Sequence, residues 1–234
     1  MKYIRKKGCP HGYASWCRDV RGTNMEDYRQ LGEAVKNPLL EALIKEQGSI
    51  CAYTMKRIDK ETAHIEHIKP ESLCRVEAKG SDLAYDNLVA CFPRAGMKAK
   101  YRYGAQQKDN WWADDGRLFV SPLHNFCEKR FCFKLNGGIV PANAAAKKTI
   151  TVLKLDHATL CEERSLVLNE FIYGPSGQDA LSAASAKRAI DQVCRPGPGG
   201  NFREFCVAIR DGLIEYSKFL EKLAKKKKAI GRSR

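Results

Sequence analysis

The chain has 234 residues, 44% of them hydrophobic and 29% charged, values of an ordinary folded protein that exclude wholesale disorder. Its 41 Lys and Arg against 27 Asp and Glu give a formal charge of +14, for which a polyanion such as nucleic acid is the natural partner. Half of that excess lies in residues 217–234, which hold eight basic side chains against Glu221 alone.

The opening stretch, Met1-Lys-Tyr-Ile-Arg-Lys-Lys, runs into Gly8-Cys9-Pro10 with no apolar segment behind it and does not read as a signal peptide. No window approaches the ~20 apolar residues of a membrane span. A cytoplasmic protein with no membrane partner is expected, its ten cysteines reduced. None of them falls in a Cys-x-x-Cys pair, so a complete zinc ribbon is not expected.

In chain order, residues 25–47 recur apolar at three and four (Tyr28, Leu31, Val35, Leu39, Leu43) and predict helix, with Pro38 as a candidate break and Gly48 as the stop. Residues 49–70 turn to short apolar runs, 50–53 and 63–68, around a charged turn, which predicts two strands of a hairpin. A polar connection follows to Asp86-Asn87-Leu88-Val89. Residues 118–120 and 130–140, with Gly137-Gly138 as a turn, predict a further small β segment. The last third is helical: 149–155, 157–171 and 180–194, then a break at Arg195-Pro-Gly-Pro-Gly-Gly200. Asn201 and Glu204 have capping-box spacing ahead of a stripe through Cys206, Ile209, Leu213, Tyr216 and Leu220. The stripe is a buried face, against either its own chain or a partner helix. No internal repeat is present.

The densest chemistry is His64-Ile65-Glu66-His67-Ile68-Lys69-Pro70. On a strand His64 and Glu66 share one face and His67 takes the other, unless Pro70 ends the strand there. By itself a His-x-Glu-His stands evenly between metal site and accident. Two other groupings, Cys9/His11/Cys17 and His124/Cys127/Cys132, each lack a fourth ligand, and His157 sits at a helix start where capping or a surface role is expected.

The flanks add more. Glu46-Gln47-Gly48-Ser49-Ile50-Cys51-Ala52-Tyr53-Thr54, then Ile65-Glu66-His67-Ile68-Lys69-Pro70-Glu71-Ser72, then Tyr85-Asp86-Asn87-Leu88-Val89-Ala90-Cys91 resemble the HNH nucleases of retron and Septu antiphage systems, the PtuB-like family. Later blocks keep the same order: Phe119-Val-Ser-Pro-Leu123, Phe131-Cys-Phe133, Gly138-Ile-Val140 and Thr149-Ile-Thr-Val-Leu-Lys-Leu-Asp156 with Leu160 and Arg164. About two thirds of the chain is covered, and the specificity lies in the order of the blocks rather than in any one.

The resemblance implies an α+β protein, a ββα-metal core embedded in a mainly helical chain with a small extra β segment. Its segments are an N-terminal helical docking arm (1–48), the nuclease core (49–112), the small β segment (113–148) and a C-terminal helical region with a basic tail (149–234). It implies one divalent ion, Mg²⁺ or Mn²⁺, with His67 as general base, Glu66 as metal ligand, Asn87 bracing the loop, and His64 as a second metal or phosphate contact. Relatives carry a Cys-x-x-Cys in each half of the core. Here only Cys51 and Cys91 stand at those places, so packed thiols and no structural zinc are expected, and the last metal ligand stays open among Gln106, Gln107 and Asp109.

Between Arg94 and Trp112, the cations Arg94, Lys98, Lys100, Arg102 and Lys108 interleave with four aromatics, which suits a loop that grips phosphates and stacks bases, although Trp111 and Trp112 equally suit anchors in the core. The implied assembly joins a nucleic acid substrate, DNA before RNA such as tRNA, an SMC-like or ABC-type ATPase, and in retrons a reverse transcriptase with its DNA product. No phosphate-binding Gly-x-x-x-x-Gly-Lys loop lies in this chain, so any ATP switch belongs to a partner. Two rivals remain. One is a worn HNH fold acting as a nucleic-acid-binding or scaffold subunit; the weaker is a structural zinc protein.

Overall fold

The computed structural model describes residues 1–94, 96–97 and 101–231. Its first residues are extended and drawn inward: Met1 and Ile4 are buried, and the Ile4 amide donates to the Pro122 carbonyl at 2.9 Å. Helix α1 (His11–Val20) packs on α2 (Glu33–Glu46). Periodicity does not announce α1, because only Tyr13 and Val20 of its residues are buried. The helix expected from residue 25 starts at Glu33 instead: the Asp27 carboxylate accepts from the Arg29 amide and caps a single 3₁₀ turn, Tyr28–Gln30, ahead of Gly32. Pro38 lies inside α2 without dividing it.

The centre of the molecule is a two-stranded antiparallel ribbon. Strand β1 (His64–His67) pairs with β2 (Leu88–Cys91) in the register His64 to Cys91, Ile65 to Ala90, Glu66 to Val89 and His67 to Leu88. All four residues of β2 are fully buried, and sealing side chains such as Leu88 and Val89 from water contributes roughly 1.5–3 kcal/mol each. Gln47 stitches the end of α2 to this strand: its amide nitrogen donates to the Ile50 and Ala90 carbonyls, and its amide oxygen accepts from the Ala90 N–H at 2.7 Å. Helix α3 (Glu71–Glu77) and the 3₁₀ turns Ser81–Leu83 and Tyr85–Asn87 lie between the strands, and the one-turn helix α4 (Ala105–Lys108) follows β2.

This pairing corrects the hairpin expected within residues 49–70. Ile50 forms only an isolated bridge with Arg57, since Ser49 and Met55 take positive φ and close a tight turn that cannot propagate a ladder. The true partner of His64-Ile-Glu-His67 lies beyond α3.

Strands β3 (Phe131–Phe133) and β4 (Ile139–Pro141) form the second ribbon. The expected strand at 118–120 is absent, because the Val120 amide is used by the Thr149 hydroxyl at 2.8 Å. At the β3–β4 turn Gly137 has φ +74°, and a Cβ there would lie 1.9 Å from the Cys161 carbonyl oxygen. Gly137→Ala is therefore expected to lower stability by about 1–3 kcal/mol, read as a drop in the thermal midpoint.

Helices α5 (Ala144–Leu153), α6 (Ala158–Tyr173), α7 (Ala183–Gln192) and α8 (Cys206–Gly231) complete the chain. The α8 stripe is covered from within: Ile209, Leu213 and Tyr216 cluster with Leu168 and Ile172 of α6 and Ala186 of α7. The predicted capping box does not form. Glu204 instead accepts from the Arg57 amide, Asn201 from the Ser49 hydroxyl, and Phe205 at φ +52° delays the helix to Cys206. One cluster of buried side chains runs from Met1 to Ala208, across residues 48, 112 and 148. Among the described residues no helix is long and apolar enough to cross a membrane.

Candidate active site

Strand β1 ends in an open pocket of about 250 Å³ walled by Tyr28, His64, Glu66, His67, Gln106 and Lys108, with Glu71 and Asp109 at its rim. The strand pleat sets His64 and Glu66 on the half-buried face and His67, at the last strand position, on the buried one.

His67 is 7% exposed. Its Nε2 lies 2.9 Å from the Asp82 carbonyl oxygen, and the ring stands edge-on to Tyr28 with centroids 4.5 Å apart. A carbonyl only accepts, so Nε2 carries the hydrogen and Nδ1 keeps the lone pair. Burial pushes the His67 pKa below the ordinary histidine value, against the upward pull of the Asp82 carbonyl and the Glu66 carboxylate. The ring is thus a neutral, tautomerically fixed base at neutral pH.

His64 is set the opposite way. Its Nδ1 donates to the Pro93 carbonyl at 2.6 Å, which leaves Nε2 as the lone-pair nitrogen, 3.7 Å from Glu66 Oε2. Gln106 donates from Nε2 to the Tyr103 carbonyl, while its Oε1 is buried without a hydrogen-bond partner. An imidazole nitrogen, a carboxylate oxygen and an orphaned amide oxygen belong to residues that line one pocket, and these are donor types that a divalent ion takes. The carbonyl behind His64 fixes the ring as metal-binding histidines require. Asp109 is exposed at the pocket rim.

Asn87 braces the chain that leaves β1. Its side-chain oxygen accepts from the Lys69 N–H at 2.8 Å and its amide donates to the Lys69 carbonyl at 2.9 Å, while the Ile68 amide donates to the Asn87 carbonyl. Both backbone groups two residues beyond His67 are held by one side chain.

Lys108 is placed differently from its expected role in a phosphate-gripping loop. It is 1% exposed, and its ammonium donates to Glu66 Oε1 at 3.1 Å and to the His67 carbonyl at 3.0 Å. Arg94 and Arg102 are exposed, Arg94 pairing with Glu61 at 3.0 Å. Lys98 and Lys100 lie outside the described residues. Trp111 and Trp112 pack toward Phe119, with ring centroids 6.4 and 6.1 Å away, as anchors do. Cys51 and Cys91 are buried and hydrogen-bonded to each other. Burial raises the Cys51 thiol, but hydrogen bonds from Cys91, Thr54 and the Phe92 amide bring it down to about 6. Bordering the same pocket, the trio Asp27, Glu71 and Asp82 brings carboxylates within 4.8 Å of one another. Arg29 and Arg75 already offset its charge.

Reading the sequence did not find three parts of this site: Tyr28, the Asp82 carbonyl and the bond from Lys108 to Glu66. The first two lack any chemical signature in sequence. The third had one weak signal, a lysine two residues beyond the candidate ligand Gln106.

No protein-family model matches the chain. It is similar to a protein of Vibrio cholerae serotype O1 biovar El Tor named "Retron Vc95 putative HNH endonuclease", 27% identical over 148 residues that span 60% of this chain and 68% of that one. The similarity supports an HNH-type nuclease in a retron setting.

Proposed function

We propose that this protein is a metal-dependent HNH endonuclease that hydrolyses nucleic acid phosphodiesters as the cutting subunit of a retron-type antiphage complex. The observation that carries the reading is the meeting, at one pocket, of a neutral His67 with a fixed tautomer, His64 and Glu66 of the same strand, and Gln106 of α4. His67 Nδ1 takes the proton of an attacking water as the new P–O bond forms and the old one breaks, and the departing sugar oxygen takes a proton from solvent. The imidazolium so formed is held by the Asp82 carbonyl at Nε2 and by the nearby Glu66 charge. Asn87 keeps Lys69, and through it the end of β1, in register during this transfer. His64, Glu66 and Gln106 would hold a divalent ion, Mg²⁺ or Mn²⁺, which when bound would supply Lewis-acid polarisation of the phosphate.

The substrate class rests on charge. On α8 the side chains Lys218, Lys222, Lys225 and Lys226 are exposed, and at 100° per residue they share one face, opposite the buried Leu213 and Tyr216. Replacing these four lysines with Gln is expected to flatten the dependence of log K on log[salt] by up to about 3.6 for duplex DNA, at roughly 0.9 per phosphate contact, in binding titrations across a salt series. An unchanged slope would remove α8 from the substrate path.

The deciding experiment incubates wild type and His67→Ala with single-stranded DNA, duplex DNA and RNA, in Mg²⁺, Mn²⁺ or EDTA. It is run with and without an SMC-like or ABC-type ATPase and, for a retron, the reverse transcriptase with its DNA product. Cleavage that needs metal and His67 supports the nuclease and names the substrate, DNA being favoured over RNA such as tRNA. A second reading, a nucleic-acid-binding subunit on a worn fold, is favoured by the Lys108 ammonium lying on Glu66. Binding without cleavage under every condition would select it.

A further inference from the structure

Glu66 presents its two oxygens to different partners. Oε1 takes the Lys108 ammonium at 3.1 Å, and Oε2 faces His64 Nε2 at 3.7 Å. The same ammonium bonds the His67 carbonyl, so a side chain of α4 ties together the carboxylate and the backbone of the base. Lys108 is 1% exposed and the Glu66 side chain 16% exposed, so solvent screens this pair little. A half-buried carboxylate stripped of its cation would be left poorly compensated, which folded proteins avoid. The ammonium therefore supplies, in the protein alone, the positive charge that the carboxylate requires.

We propose that Lys108 is a positioning residue that sets the affinity of this pocket for its divalent ion, keeping that affinity low until a nucleic acid phosphate enters. The inference rests on the metal-dependent reading above. A dication at Glu66 Oε2 meets an ammonium already bonded to the same carboxylate, and the two cations repel across a poorly screened pocket. A phosphate brings negative charge between them and relieves that repulsion. By linkage, substrate then tightens metal binding and metal tightens substrate binding by the same factor. A nuclease built this way is poorly loaded without its substrate.

The test is Mn²⁺ binding, followed by electron paramagnetic resonance on the whole protein without nucleic acid. Wild type and Lys108→Arg, which keeps the charge, should bind weakly and alike. Lys108→Met, of similar length but neutral, should bind Mn²⁺ tighter by on the order of tenfold or more. Its thermal midpoint should be low without metal and recover with Mn²⁺, a readout that distinguishes charge release from misfolding. Adding Glu66→Gln to Lys108→Met should abolish the gain. If Lys108→Met binds Mn²⁺ no better than wild type while wild-type cleavage remains metal-dependent, this inference falls and the nuclease reading stands. If wild-type cleavage does not require metal, both fall.

Discussion

His67→Ala is expected to lower the cleavage rate by on the order of 10²–10⁴, the usual contribution of a positioned general base, with substrate affinity little changed. The size follows from the geometry: Asp82 fixes the tautomer, and no other imidazole in the pocket offers a lone pair free of the donor set. Wild-type kcat/KM should rise with pH with the midpoint of its acid limb below the ordinary histidine value of about 6.5, because burial holds the His67 pKa down. Stability should show the same group with a definite sign. Unfolded His67 takes up a proton near pH 6.5 while the folded ring resists it, so the protein is at full stability above that value. It loses stability as pH falls from there toward the depressed folded value. Thermal midpoints between pH 7.5 and 5, wild type against His67→Ala, check this. A midpoint that falls equally in both would deny His67 the role in stability, and a variant that cleaves normally would deny it the role in chemistry.

How much of this site is legible in sequence depends on how far apart its parts lie. Within one strand the pleat sufficed: His64 and Glu66 share a face, and His67 ends the strand three residues before Pro70. The α8 stripe was equally plain, since Ile209, Leu213 and Tyr216 recur at helical spacing over a long run. The partner of β1 was not legible, because four apolar residues at 50–53 and four at 88–91 look alike until Ser49 and Met55 take positive φ. Asn201 and Glu204 had the spacing of a cap, but nothing local told that Arg57 and Ser49 would engage them from across the fold. The pairing of Lys108 with Glu66 spans 42 positions and reverses the reading of that lysine from a substrate contact to an internal one. Backbone acceptors, here the carbonyls of Asp82 and Pro93 that choose opposite tautomers for His67 and His64, have no residue type at all. Yet they decide which nitrogen does chemistry.

Asn87→Ala is the second large effect expected. The substitution leaves the N–H and C=O of Lys69 without their side-chain partner, and an unsatisfied backbone group costs roughly 1–3 kcal/mol. Asn87 is half-buried, so water recovers part of the loss and a net destabilisation of about 1–3 kcal/mol is expected in denaturant unfolding. Activity should fall further than stability explains. Lys69 lies two residues beyond His67, and a displacement of the base by about 1 Å is worth on the order of 10²-fold in rate. The loss should therefore appear in kcat rather than KM, at a temperature where the variant is fully folded, and the acid limb of the pH profile should stay in place because Asp82 still holds the ring. Asn87→Asp separates the two bonds: its carboxylate keeps the acceptor for the Lys69 amide but turns a second oxygen on the Lys69 carbonyl, where only a donor is tolerated. If both variants fold and cleave at the wild-type rate, the exit from β1 does not position His67, and the brace at Asn87 serves stability alone.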